Sequence, residues 1–342
     1  MKTNVKQHNN SIDMFRLIAA IMVVQVHTDV FANLNEPLRY FFINIFPRVA
    51  VPFFFVVSGY FYIGKLMAGK KPFFHYIANI LSVYILWSAI YIAFFYVRNV
   101  MIKGRQLEKF INNRLKNFFI YGTAGHLWYI PALIIAVLVV TIFYKLHLIK
   151  LLAIASLALY VLGVLSCSYY KIGIQIPQLQ PLLENENLLW IRRHWFMGLP
   201  LFTMGYFLNL LKPKIEKMKK KTSSILLLVA IEVFLIEVVI IMLLEIWQSW
   251  TLTFGLYFLT AALMIFLLKH PAPKYAKTGY YCRCAANFTY YSHYMTVAII
   301  ELIQGEANVN HVYLLGMVLA VGIFGGLFIG LLNFKWLNKL VG

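Results

Sequence analysis

The sequence predicts an all-α polytopic membrane protein: a bundle of about ten transmembrane helices with both termini in the cytoplasm. Three observations carry this reading. The 342 residues are 61% hydrophobic and only 13% charged, against about 45–50% and about 25% in an ordinary soluble domain. Apolar runs of about 20 residues, enough to cross a bilayer, recur along the whole chain. The basic residues also collect in alternate connections. A soluble core could not hide so much apolar surface, and the composition is opposite to that of a disordered chain. A transmembrane barrel would show short alternating segments instead.

Ten segments fit the pattern: 12–33, 41–64, 77–97, 126–144, 151–168, 194–211, 223–244, 250–268, 284–303 and 311–333. No low-complexity linker divides them, so residues 1–342 read as a single membrane domain. With the N-terminus inside, the cytoplasmic segments hold 19 of the 31 lysines and arginines, including the run from Lys212 to Lys221. That bias sets the orientation. The net charge of +19 then reflects basic loops beside an anionic leaflet. No basic motif interleaved with aromatics points to nucleic acid. The predicted location is the bacterial plasma membrane.

The connection 98–125, on the outer side in this arrangement, departs from the trend by being strongly basic. Its apolar residues Leu107, Phe110, Ile111, Leu115, Phe118 and Phe119 follow helical spacing. They predict an amphipathic helix along the interface or packed on the bundle. Such a helix either touches anionic headgroups or shapes an entrance for an anionic ligand. Cys167, Cys282 and Cys284 show neither a disulfide framework nor metal-ligand spacing and read as inert thiols. The first apolar stretch is long and carries Arg16, unlike a cleavable signal peptide.

Polar groups inside the apolar segments are the candidates for chemistry. Arg16 and His27 are eleven residues apart in the first segment. On an α-helix this offset is about 20° around the axis and about 16.5 Å along it. Asp13 is within pairing reach of Arg16. Ionisable groups at this depth face protein or a water-filled cavity, so this face points inward, with Arg16 nearer the cytoplasm. The plainer alternative is a snorkelling Arg16 and a buried, hydrogen-bonded His27.

The second segment carries Ser58-Gly59 after Pro52, a pattern for close helix approach and a local break. The fourth opens with His126-Leu-Trp128-Tyr129, and the sixth with Arg192-Arg193-His194. Glu232 and Glu237 interrupt the seventh and call for partners. His293 lies within the ninth. Each has a structural reading, as an interface anchor, an ion pair or an interhelical contact. Together they suit proton transfer or anion handling. No phosphate-binding loop, zinc motif or dinucleotide fingerprint occurs, and no metal is expected.

Arg16-x10-His27, the stretch Phe53-Phe54-Phe55-Val-Val-Ser58-Gly59-Tyr60 and His126-Leu-Trp128-Tyr129 resemble the acyltransferase family 3 membrane proteins over essentially the whole chain. With Phe46-Pro47-Arg48-Val-Ala-Val-Pro52 and the late His293, the chain looks most like the membrane domain of serine racemases of the VanT type, linked to vancomycin resistance. The resemblance implies an acyl-CoA donor such as acetyl-CoA, with Arg16 at its phosphates and His27 as catalytic base. It places Asp13, Ser58, His126, Tyr129, Arg193, Glu237 and His293 around the substrates, with His126 and Tyr129 on the outer acceptor side. Glu232 rivals Glu237. It further implies a cytoplasmic PLP-dependent racemase domain as partner, outside these residues. Two alternatives follow from it: L-serine uptake to feed that domain, and a non-catalytic membrane anchor.

Overall fold

The computed structural model describes residues 10–272, 277–305, 309–332 and 340. They are helical, with no strand among the described residues. In chain order the α-helices are α1 (Asn10–Thr28), α2 (Glu36–Tyr40), α3 (Ala50–Met67), α4 (Phe73–Tyr96), α5 (Leu107–Phe119), α6 (Tyr129–Lys145), α7 (Ile149–Leu165), α8 (Tyr170–Gly173) and α9 (Gln180–Leu183). They continue with α10 (Leu188–Ile191), α11 (Leu199–Leu210), α12 (Lys212–Lys217), α13 (Lys220–Leu244), α14 (Phe254–Lys269), α15 (Thr278–Gln304) and α16 (His311–Leu332).

Helix lies at each of the ten segments expected from hydropathy. Among the described residues, five stretches are long and apolar enough to cross a membrane: Asn10–Thr28, Leu38–Met67, Phe73–Ile102, Lys220–Leu244 and His311–Leu332. The others fall short for physical reasons. α6, α7, α11 and α14 have 17, 17, 12 and 16 residues, so they rise about 18–26 Å, less than a hydrocarbon core of about 30 Å. α15 is long enough at 27 residues, but Arg283, Asn287 and His293 and a run of tyrosines dilute its apolar character.

The bundle is organised by close helix pairs. α15 packs along α16 and α1, α3 along α11, and α13 along α14. At the α3–α11 crossing a side chain on Gly59 would strike the backbone of Phe202, and one on Gly205 would strike Val56 and Tyr60. On α16, Gly322 and Gly326 let Thr289 and Ala285 of α15 approach in the same way. Small residues at such positions allow backbones to touch, and association within a bilayer depends on that packing.

The break expected near Pro52 and Ser58-Gly59 lies elsewhere. α3 runs unbroken through these residues, with Pro52 near its start, where the lack of a backbone donor costs little. The irregular turns precede it, as a π turn at Phe41–Ile45 and a 3-10 turn at Phe46–Val49 containing Pro47. Ser58-Gly59 therefore serves helix packing and, through Ser58, a cavity. Two further π turns occur at Val97–Ile102 and Arg192–Gly198. Such turns widen a helix by one residue and recur at functional sites.

α5 is the amphipathic helix expected in the basic connection. Phe110 is buried and Phe118 stacks on Tyr84. Leu107, Ile111, Leu115 and Phe119 remain exposed, so much of its apolar stripe faces away from the bundle.

Candidate functional site

Asp13, at the start of α1, is buried and holds two arginines. Arg16 donates to it at 2.8 Å and Arg283 of α15 lies at 3.4 Å. The Asp13–Arg16 pair was legible in the sequence; Arg283 was not, because only the α1–α15 contact brings it there. Arg16 opens onto a cavity of about 330 Å³, also lined by Ser58, Lys65, Tyr76, Asn79 and Tyr129. The Ser58 and Tyr129 hydroxyls are hydrogen-bonded at 3.1 Å. Tyr129 thus belongs to the Arg16 cavity rather than to the opposite side, where it was expected with His126. The turn entering α6 separates the two residues. Lys65 and Tyr76 were not anticipated, since a lysine at a helix end and a tyrosine in an apolar run carry no distinguishing pattern.

Three imidazoles meet toward the other end of α1. The rings of His27 and His293 are 5.1 Å apart, and those of His126 and His293 are 4.6 Å apart. His126 and His293 are buried, whereas His27 keeps an exposed side. His293 Nδ1–H donates to the carbonyl of Tyr290 at 2.7 Å. This fixes the tautomer and leaves Nε2 as the acceptor nitrogen. That Nε2 and both nitrogens of His126 are buried without a hydrogen-bond partner among the described residues. Buried polar atoms are nearly always paired, so three orphaned nitrogens in one cluster mark a place built for a polar ligand.

Two tyrosines bracket the cluster, one turn apart on α15. Tyr290 lines the Arg16 cavity, donates to the His126 carbonyl at 2.6 Å and has its ring 5.5 Å from the imidazole of His126. Tyr294 packs 5.9 Å from His27 and 5.6 Å from His126. Its other side lines a second cavity of about 530 Å³, together with Arg98, Arg105, Arg114, Gly125 and Arg193. Arg193 also lies over the Trp128 ring at 4.9 Å. Tyr91 anchors this stretch of α15. Its hydroxyl donates to the Tyr291 carbonyl at 2.7 Å and accepts from the Met295 amide at 3.2 Å. Arg283, Asn287, Tyr290 and Tyr294 are spaced four, three and four residues apart, a helical polar stripe that the sequence offered as a signal for most of this wall.

Arg16, Asp13, Ser58 and Tyr129 are therefore grouped at one cavity, and His27, His126 and His293 at the cluster. Arg193 lies at the second cavity. Glu237 is not part of this arrangement. Its carboxylate accepts the amides of Phe254 at 2.9 Å and Gly255 at 2.5 Å, and the Tyr169 hydroxyl at 3.1 Å. It caps the positive N-terminus of α14, so the expected acceptor-binding role gives way to a structural one. Glu232 is exposed on α13. Among the described residues no group of three or more histidine, cysteine or acidic residues could hold a metal ion.

A membrane-embedded helical bundle with a histidine cluster between two polar cavities is the class that these features define. Residues 9–332 match the acyltransferase domain model, and the chain belongs to the acyltransferase 3 family. It is also similar to two amino-acid racemases of Enterococcus faecalis. One is 34% identical over 164 residues, covering 48% of this chain and 22% of the relative; the other is 34% identical over 183 residues, covering 52% and 26%. A serine/alanine racemase of Enterococcus gallinarum is 33% identical over 146 residues, covering 39% and 19%. The chain thus aligns with about a quarter or less of the length of these relatives. No solved structure matches.

Proposed function

We propose that this chain transfers an acyl group from acyl-CoA, taken at the Arg16 side, to an acceptor at the His27 side, in a bacterial plasma membrane with both termini cytoplasmic. The observation that carries the reading is the alignment along one face of α1. Arg16 opens one cavity, and the imidazoles stand between that cavity and a second one. Their separation of about 16.5 Å along the helix suits a pantetheine arm, with donor phosphates held by the Arg16 guanidinium and Lys65. Tyr290 and Tyr129 then flank the arm, and Asp13 orients Arg16.

In the reaction the acceptor hydroxyl or amine attacks the thioester carbonyl. Its proton passes to His27, the acceptor–carbon bond forms, and the carbon–sulfur bond breaks. Coenzyme A leaves as a thiolate and takes up a proton. The Nε2 of His293 accepts a hydrogen bond that positions the acceptor, and the ring N–H of His126 donates to the developing oxyanion. General-base catalysis contributes about 10²–10⁴-fold. Purified protein is expected to release free thiol from acetyl-CoA, water standing in for the acceptor hydroxyl and acetate forming, and His27→Ala to lower the rate by about 100-fold or more while retaining the fold. Wild-type rates in the variant would remove His27 from the chemistry.

The racemase names of the relatives favour one second reading, in which the membrane part passes L-serine to a cytoplasmic racemase domain. The unbroken α3 takes away one of its supports, since substrate sites in transporters are typically formed at discontinuous helices. Entry of labelled L-serine into proteoliposomes above empty vesicles would establish it.

A further inference from the structure

α13 is the most apolar of the five candidate spans, and it carries an acid on its outward face. Ala230, Phe234, Glu237 and Ile241 are buried. Their spacing of four, three and four residues makes one helical stripe. This stripe meets α14, where Phe234 and Glu237 touch Gly255. The opposite stripe is Ile225, Leu228, Glu232, Leu235, Val239 and Met242, spaced three, four, three, four and three, and every member of it is exposed. Glu232 lies about 200° around the helix from Ala230. It is about 10 Å along the axis from Ile225 and about 18 Å from Leu244, the ends of the apolar run. Among the described residues no hydrogen bond or ion pair holds its carboxyl. Ionisable groups at such depth almost always face the bundle interior or a wet cavity, because contact with lipid is costly. Glu232 does neither.

We infer that this face is an interface with a second copy of the chain, α13 against α13, with Glu232 at its centre. Two copies inserted in the same orientation are related by a two-fold axis along the membrane normal. Such an axis keeps every residue at its own depth. The two Glu232 carboxyls therefore meet and hydrogen-bond to each other, away from lipid. A partner of different sequence would need its own polar group at this depth, whereas a second copy supplies one by symmetry. The stripe also has the residue pattern of a parallel pair. Ile225, Glu232 and Val239 occupy one core position of a seven-residue repeat, and Leu228, Leu235 and Met242 occupy the other. β-Branched residues at the first position with leucine at the second favour two parallel strands, and a single polar residue at the first fixes their register. Lipid tails are as apolar as leucine, so the apolar members contribute packing and the interhelical hydrogen bond sets the preference for the pair. The exposed surface of α13 is wider than this seam and includes Leu226 and Val233, which remain against lipid in the pair.

The test uses the full chain, fused to a fluorescent protein, in phosphatidylcholine–phosphatidylglycerol liposomes over a range of protein densities, with photobleaching steps counted in single vesicles. Two-step bleaching above the level of chance co-occupancy is expected, giving way to single steps on dilution. Glu232→Leu is expected to shift the balance about tenfold toward the monomer. At an exposed position this change disturbs no internal packing, and circular dichroism checks that the fold is kept. Glu232→Gln retains a hydrogen-bonding side chain and is expected to keep the pair. Single cysteines then locate the contact under oxidation by copper phenanthroline, with the protein lacking an added cysteine as the control. Leu235→Cys and Val239→Cys are expected to cross-link two chains, and Val233→Cys, on lipid in the pair, is not. Single steps at every density, a pair that Glu232→Leu leaves unchanged, or cross-linking through Val233→Cys as complete as through Val239→Cys overturns the inference.

Discussion

His293 has one ring nitrogen committed to a backbone carbonyl, and its other nitrogen and both of His126 are buried without a hydrogen-bond partner among the described residues. An unsatisfied buried polar group costs about 1–3 kcal/mol, so these imidazoles add little to the stability of the fold. His126→Leu is accordingly expected to leave the thermal midpoint unchanged or raised while abolishing acetyl-CoA turnover, read by thermal unfolding and thiol release on one preparation. A lowered midpoint would show that the imidazole is bonded in the folded protein. His27, His126 and His293 could each be picked out of the sequence as polar groups in apolar surroundings. Their meeting point could not, because it depends on α1, the turn before α6 and α15 converging from positions about 100 or more residues apart.

α15 carries the site more than any other element. Residues Tyr290, His293 and Tyr294 lie within little more than one turn, and Tyr91 of α4 bonds the Tyr291 carbonyl and the Met295 amide on either side of them. Tyr91→Phe removes both bonds while keeping the ring packed. Turnover is expected to fall about tenfold with a smaller change in the midpoint concentration for acetyl-CoA binding, because most of the donor cavity, Arg16, Ser58, Lys65, Tyr76 and Tyr129 included, comes from other elements. A change confined to acetyl-CoA affinity would contradict this positioning role. Glu237 is an element-scale residue of another kind. Glu237→Gln weakens the cap on α14 and is expected to cost about 1–3 kcal/mol, with activity per folded molecule unchanged. Lost activity in stable protein would return Glu237 to the site. The sequence showed that this acid needed partners, but backbone amides of a later helix are invisible to pattern reasoning. α5 was legible because amphipathic spacing is local. The α3 break was misplaced because Pro52 was read without its position in the helix, near an end where proline is tolerated.

At the scale of the whole molecule, hydropathy located the helices well, since a bilayer imposes one length and one kind of surface. It did not reveal that α6, α7 and α14 are short or that α15 is polar along one stripe. Those features follow from packing inside the bundle and from lining two cavities. In the proposed orientation the Lys212–Lys221 segment and the Arg16 cavity lie on the cytoplasmic side, with the basic cavity opposite. In this arrangement donor and acceptor never share a compartment, and the imidazoles, with Tyr290 and Tyr294 beside them, stand between the two cavities.

The most direct measurement is thiol release from acetyl-CoA by sealed membrane vesicles of known sidedness containing either wild-type protein or His27→Ala. The account predicts release only when acetyl-CoA is supplied on the side of the Lys212–Lys221 segment, falling by about 100-fold or more in the variant. Equal release from either side, or wild-type release by His27→Ala, would contradict it.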